Sequence, residues 1–368
     1  MPPLDAATAI GARAAPRGGA ASTSGAAAAA ARPRRRAPPP PRAASKKGGG
    51  GKHTPALLPA FLPAEFAAEI EEPAAVAMMG EMRRAALAVP GLGEVLTAYV
   101  HRPATGAAAA AAAAAERPAF VLLHGFDSSL LEFRRFYARL AELGDVYAVD
   151  LAGWGFTDAG FGLAPARALG PPEKRAHLRA FLDGVVGRPA TLLGTSLGGA
   201  VALDFALAHP ARVSRLVLVD AQGFIDGVGP MAALPRPLAA LGVGVLRSEW
   251  LRQMANRMAY HDTATFATAD AMRVGRLHTH LPGWTDANVA FMQSGGYPSV
   301  AGRLGAVAAP ALVVWGRQDG ILSPDYAARF LEELPDARLA WVESCGHCAH
   351  LEQPEALLDA VRAFVAEP

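Results

Sequence analysis

Six residues constrain this chain more than any other feature: Gly194-Thr195-Ser196-Leu197-Gly198-Gly199. They stand between Thr191-Leu192-Leu193, which reads as the end of a buried strand, and Ala200-Val201-Ala202-Leu203-Asp204-Phe205-Ala206, which reads as a helix. A chain that leaves a strand and enters a helix within so few residues must turn sharply, and glycines beside the serine let neighbouring backbone approach it closely. Such a turn pushes the Ser196 hydroxyl out of the sheet. The plainer alternative, a glycine-rich turn that merely starts a helix, is disfavoured because strand and helix flank it on both sides.

Other short apolar runs alternate with helical stretches: Ala119 to Leu123, Val146 to Val149, Ala190 to Leu193, Leu216 to Val219, Ala311 to Trp315 and Arg338 to Val342. This alternation predicts an α/β fold, a mainly parallel sheet with helices on both faces. Val95 to Val100 alternates and predicts an early antiparallel strand, preceded by a helix-like segment over roughly Phe61 to Ala88. The alanine run Ala107 to Ala115 offers neither a polar group nor a large apolar face, so it reads as a tolerated loop insertion. Strand signals lapse between about Gln222 and Tyr297, while Trp250, Leu251, Met254 and Met258 recur at helical spacing. That predicts an inserted helical cap, 222–298, over the carboxyl ends of the strands, where open α/β sheets bind ligands. The core is thereby divided into 61–221 and 299–368.

The first 60 residues differ from the rest. Before Glu65 the one acidic residue is Asp5, against Arg13, Arg17, Arg32, Arg34, Arg35, Arg36, Arg42, Lys46, Lys47 and Lys52 among many Ala, Pro and Gly. Such a segment cannot bury enough side chain to offset the entropy of ordering, so residues 1–60 are expected to be disordered. An acidic-poor, Arg- and Ser-bearing head reads as a transit peptide, with a chloroplast address preferred over a cytoplasmic protein bearing a basic tail or a nuclear signal at Arg34 to Arg36. A net charge of +2 gives no global basic field for nucleic acid. No uninterrupted run of strongly apolar residues reaches membrane-spanning length, so the expected protein is soluble or peripheral to membranes. Two cysteines, Cys345 and Cys348, provide no disulfide framework and fit a reducing compartment as free thiols. A zinc site would need further ligands at suitable spacing, and the haem pattern fails because Ala349 follows Cys348. No metal or other cofactor is expected.

A serine hydroxyl is a poor nucleophile near neutral pH, so it needs a base, and the base needs an orienting partner. Gly316-Arg317-Gln318-Asp319 follows the strand ending at Trp315, and Cys345-Gly346-His347-Cys348 follows the last strand. With the Ser196 turn, these segments resemble the α/β-hydrolase superfamily, whose triad runs serine, acid, histidine along the chain. The resemblance covers roughly Ala85 to the C-terminus, least in the cap. Around His124 to Arg135, the Asp150 loop, the Ser196 turn and the His347 loop it is similar to plant and cyanobacterial, plastid-type members known by fold alone. It implies the α/β-hydrolase fold with Ser196 as nucleophile, His347 as general base and Asp319 as the acid that orients it. It also implies an oxyanion hole formed by the backbone N–H groups of Phe126 and Leu197. Asp220 is the alternative acid and His350 the alternative histidine, while His124 is expected to support its loop. Asp150-Leu151-Ala152-Gly153-Trp154-Gly155-Phe156-Thr157 resembles a structural loop of the same family.

The resemblance implies a serine hydrolase but names no substrate. The reading preferred is hydrolysis of a carboxylic ester, with a thioester second, through an acyl-enzyme. Alternatives are C–C bond hydrolysis or acyl transfer with the same triad, and a receptor-like protein that binds its ligand and then a partner. Aspartate-nucleophile relatives such as epoxide hydrolases are disfavoured by Ser196. Trp154, Trp250, Met254, Met258, Trp284 and Phe291 are the candidate substrate-binding residues, and Phe266, Met272, Met292 and Tyr297 add apolar surface to the cap. They predict a small apolar ester as substrate.

Overall fold

The computed structural model describes residues 58–110, 117–158, 160 and 168–367. The head, residues 1–57, lies outside the described residues, so its disorder and address stay readings of the sequence.

Eight strands form one sheet: β1 (Arg83–Val89), β2 (Gly93–Arg102), β3 (Ala119–Leu123), β4 (Asp145–Val149), β5 (Ala190–Thr195), β6 (Val213–Val219), β7 (Ala311–Gly316) and β8 (Ala337–Val342). Their order is β1-β2-β4-β3-β5-β6-β7-β8. β1 and β2 pair antiparallel, as do β2 and β4, and every later pair is parallel. β3 is buried along its whole length, and its side chains alternate between two cores. Val121 and Leu123 join one core and Phe120 and Leu122 the other. Two apolar faces require cover on both, which is why these strands read as continuous apolar runs.

The helices that matter below are α1 (Pro73–Glu81), α2 (Pro171–Phe181), α3 (Leu197–Ala208), α4 (Arg236–Leu246), α5 (Glu249–Ala259), α6 (Ala269–Arg276), α7 (Trp284–Gln293), α8 (Asp325–Glu333) and α9 (Pro354–Ala366). α4 to α7 all lie between β6 and β7, where the strand signals lapse. None of the described helices is long and apolar enough to cross a membrane.

One expectation fails. The helix-like segment over Phe61 to Ala88 breaks into Ala64–Ala67, then α1, then strand β1. Arg83–Val89 is alanine-rich and has little intrinsic strand preference, but Gly91 and Gly93 adopt φ of 81° and 77° and fold it back on β2. Hairpin pairing overrides local propensity here. In the alanine run, Gly106–Ala110 is a short helix, and residues 111–116 lie outside the described residues.

Candidate active site

Ser196 sits between the end of β5 and the first residue of α3, with φ of +50°. A side chain at positive φ is strained, and the strain is held by hydrogen bonds from Ser196 N to Val219 O (3.0 Å) and from Gln222 N to Ser196 O (2.8 Å). Glycine is obligatory alongside. A Cβ on Gly194 would lie 2.3 Å from Gly198 O, and one on Gly198 would lie 2.0 Å from Leu123 O. Leu197 opens α3, where backbone N–H groups have no partner within the helix and favour negative charge.

Ser196 and His347 line one cavity of about 370 Å³, together with Gly125 and Phe126 from the loop after β3. His347 Nδ1 lies 2.8 Å from Asp319 Oδ2. Asp319 Oδ1 accepts from the N–H groups of Ile321 (2.7 Å) and Leu322 (3.0 Å), which fixes the carboxylate. Asp220 is placed differently. Its Oδ1 accepts from Gly316 N at 2.7 Å, its Oδ2 has no partner, and burial next to Asp319 pushes its pKa well above the carboxylate range. His350 is buried with Nε2 3.8 Å from Glu132 Oε1, and burial pulls its pKa down to about 3.

The structure also fixes the supporting loops. Leu151 N donates to His124 Nε2 (3.1 Å), so Nε2 bears no proton and Nδ1–H donates to Gly125 O (2.8 Å). His124 is thus neutral, in agreement with the fall of its pKa to about 3 on burial. Asp150 accepts from Leu130 N (2.5 Å) and Phe156 N (2.7 Å) and braces its loop. Cys345 and Cys348 are free thiols.

None of the six candidate substrate-binding residues lines the Ser196 cavity. Helix α5 turns Trp250, Met254 and Met258 outward, and presents Arg252, Ala255 and Asn256 to the cavity instead. The sequence pattern gave the spacing of an apolar stripe but not the direction it faces. Trp284 is buried against Asp127. Trp154 packs beneath Phe126 and Phe291, and the buried Nζ of Lys174 stands 3.3 Å from its ring centroid. Of the cap's large apolar residues named from sequence, Met272 does reach the cavity.

Three carboxylates escaped the sequence reading. Glu132 lines the cavity, accepts from Thr195 Oγ1 and from Gly125 N (3.2 Å), and is pushed up in pKa by burial. It therefore ties the residue before Ser196 to the residue before Phe126. Asp127, at φ of +44°, pairs with Arg252 and accepts from Trp284 Nε1 (2.7 Å), His278 Nε2 (3.2 Å) and Asn288 Nδ2 (3.2 Å). Burial would raise its pKa, but these partners hold it below the usual value. Glu352 accepts from Gly346 N (2.7 Å) and Asp262 N (2.6 Å), which joins the His347 loop to the end of α5. A lone acid inside the apolar run Leu130-Leu131-Glu132-Phe133 was the available signal for Glu132.

The sequence pattern of the Alpha/beta hydrolase family matches residues 120–360. The chain belongs to the alpha/beta hydrolase family. This hydrolase is 38% identical over 252 residues to the alpha/beta hydrolase domain-containing protein VTE7 of Arabidopsis thaliana, covering 68% of this chain and 75% of that protein. It is 32% identical over 270 residues to a 2-hydroxy-6-oxononadienedioate/2-hydroxy-6-oxononatrienedioate hydrolase of Burkholderia vietnamiensis, covering 67% and 86%. Among solved structures, an esterase from Thermogutta terrifontis superposes with a TM-score of 0.63 at 20% identity, covering 77% of this chain and 98% of that one. The meta-cleavage product hydrolase CumD of Pseudomonas fluorescens IP01 gives 0.61 at 20%, covering 77% and 97%. At such identities the two structures speak for the fold alone.

Proposed function

We propose that this alpha/beta hydrolase cleaves a carboxylic ester of an apolar substrate, or a thioester, through an acyl-enzyme. The observation that carries the reading is the placement of Ser196, on a strained turn, in one cavity with a histidine whose Nδ1 is 2.8 Å from Asp319. With Nδ1–H held by the carboxylate, Nε2 is left to take the Ser196 proton as Oγ attacks the carbonyl carbon. The negative oxygen formed is received by the N–H groups of Phe126 and Leu197. Collapse returns the proton from His347 to the departing alcohol, and water activated by the same histidine releases the acid. The cap is the segment 222–298, and the basic head is the plastid address.

The names of several curated relatives favour a second reading, C–C bond hydrolysis of a dioate. A substrate with two carboxylates calls for free cations in the cavity. Arg252 and Arg134 face it, but both are engaged: Arg252 with Asp127 and the carbonyls of Leu246 and Gly275, Arg134 with Glu72 and Leu131 O. The ester reading is therefore preferred. A fluorophosphonate probe should label the wild type and not Ser196→Ala, with unchanged thermal stability. In a panel of esters, kcat/KM should climb about fourfold per methylene, the equivalent of about 0.8 kcal/mol, until the cavity is full. Labelling of Ser196→Ala, or best turnover on acetyl esters, would overturn the reading.

A further inference from the structure

Helix α4 carries no charged or polar side chain after Arg236: Pro237-Leu238-Ala239-Ala240-Leu241-Gly242-Val243-Gly244-Val245-Leu246. Its inner face, Ala239 and Val243, packs with Trp284 and Val289. Its outer face is equally apolar, with Leu238 56%, Leu241 70% and Val245 52% exposed. Helix α5 in turn exposes Trp250, at 71%, followed at successive turns by Met254 and Met258. A helix apolar all round belongs in a core or in lipid. Single exposed apolar side chains are ordinary, but six on two consecutive helices are more than isolated cases and mark a surface suited to a partner.

Two observations identify the occupant. Trp250 and Met254 border a groove lined also by Met272, and Met272 lines the Ser196 cavity, so this one side chain stands between the groove and that cavity. A protein seated there would cover this route, whereas a lipid surface would feed it. Among the arginines of residues 228–260, Arg252 turns inward to Asp127, Arg236 pairs with Asp286 and Arg247 lies over the Trp284 ring, which leaves the charge of Arg257 at the groove. Arg257 is exposed in the groove and makes no ion pair among the described residues. Tryptophan and long aliphatic side chains bordered by arginine suit the boundary between headgroups and acyl chains.

We propose that the outer face of α4 and α5 docks on a lipid bilayer, and that an apolar ester dissolved there enters the Ser196 cavity past Met272. Docking stands on the exposed surface, while delivery rests on the ester-hydrolase reading. The test is flotation of the full chain with vesicles of phosphatidylcholine, alone or mixed with anionic phosphatidylglycerol. It compares wild type, the double variant Leu238→Ser and Leu241→Ser, and Trp250→Ser. Wild type should bind both vesicles, more tightly with the anionic lipid and at low salt. Partitioning of the double variant should fall roughly tenfold or more, with melting temperature and turnover of a water-soluble short ester unchanged. The basic head is common to all the proteins and cancels in the comparison. Equal partitioning of variants and wild type would overturn the proposal, as would absence of binding to neutral vesicles. So would a wild-type dimer that the double variant converts to monomer, which would make a second copy the occupant. Because binding is read without substrate, failure of the ester reading leaves this result unchanged.

Discussion

Two carboxyl groups compete for the role of triad acid, and exchanging each for its amide separates them by two independent readouts. Asp220 is fully buried, and burial beside Asp319 raises its pKa and so favours the protonated form, of which asparagine is the near-isostere. An uncharged acid could not stabilise the imidazolium that His347 would become as the proposed general base. Asp220→Asn should therefore retain kcat/KM to within about threefold, whereas Asp319→Asn should lose about 10⁴ in kcat, the equivalent of about 5.5 kcal/mol of barrier. Stability supplies the second readout. With its pKa raised, native Asp220 holds its proton to higher pH than the unfolded chain, which gives it up near pH 4, so above that pH the native state binds more protons. Its favourable contribution is complete below the unfolded pKa and declines as pH rises towards the raised native value. Asparagine does not titrate. The variant should gain on wild type by up to about 1.4 kcal/mol for each pH unit above about 4. Urea unfolding of both proteins between about pH 5 and pH 7 measures the gap. A gap that does not widen with pH would mean that native Asp220 is ionised, and a hundredfold loss of kcat/KM in Asp220→Asn would make it the triad acid.

Glu132→Ala strips the acceptor from Gly125 N–H and Thr195 Oγ1, so kcat should fall roughly 10- to 100-fold with KM little changed. Glu132→Gln keeps an acceptor and should recover part of the loss; burst kinetics with a nitrophenyl ester would show it, and an unaffected alanine variant would remove Glu132 from the oxyanion hole's support. Gly198→Ala should cost about 3 kcal/mol of stability, because its Cβ would meet Leu123 O at 2.0 Å and His124 O at 2.8 Å, both of them backbone. Gly242→Ala, on an exposed helical turn with nothing within 4 Å, should instead stabilise by about 0.5–1 kcal/mol; calorimetry distinguishes the two.

The parallel strands were legible because burial on both faces forces unbroken apolar runs, and the Ser196 turn because glycine is needed wherever backbone packs against backbone. β1 was not, since Arg83-Arg84-Ala85-Ala86-Leu87-Ala88-Val89 owes its conformation to a hairpin partner rather than to itself. The pairing of Asp319 with His347 was an implication of the family resemblance, in loops that follow β7 and β8, rather than something these residues show by themselves. The cavity lining did not follow. Helical spacing says which residues share a face, but only the packing of α5 against the core says that Arg252, Ala255 and Asn256 look inward and Trp250 outward. Asp127 was invisible for a related reason: its four partners arrive from cap residues more than a hundred positions away.

That last convergence joins the segment proposed as the cap and the loop that carries Phe126 into a single mechanical part. Lifting α5 or α7 from the core withdraws Arg252, or Trp284 and Asn288, from a carboxylate one residue beyond Phe126 and leaves a buried charge short of partners, a cost of several kcal/mol. Opening would thus slacken the same loop whose Phe126 N–H is proposed to receive the oxyanion. Such an interlock would work like the door switch on a machine, with Ser196 accessible but idle whenever the cap stood open.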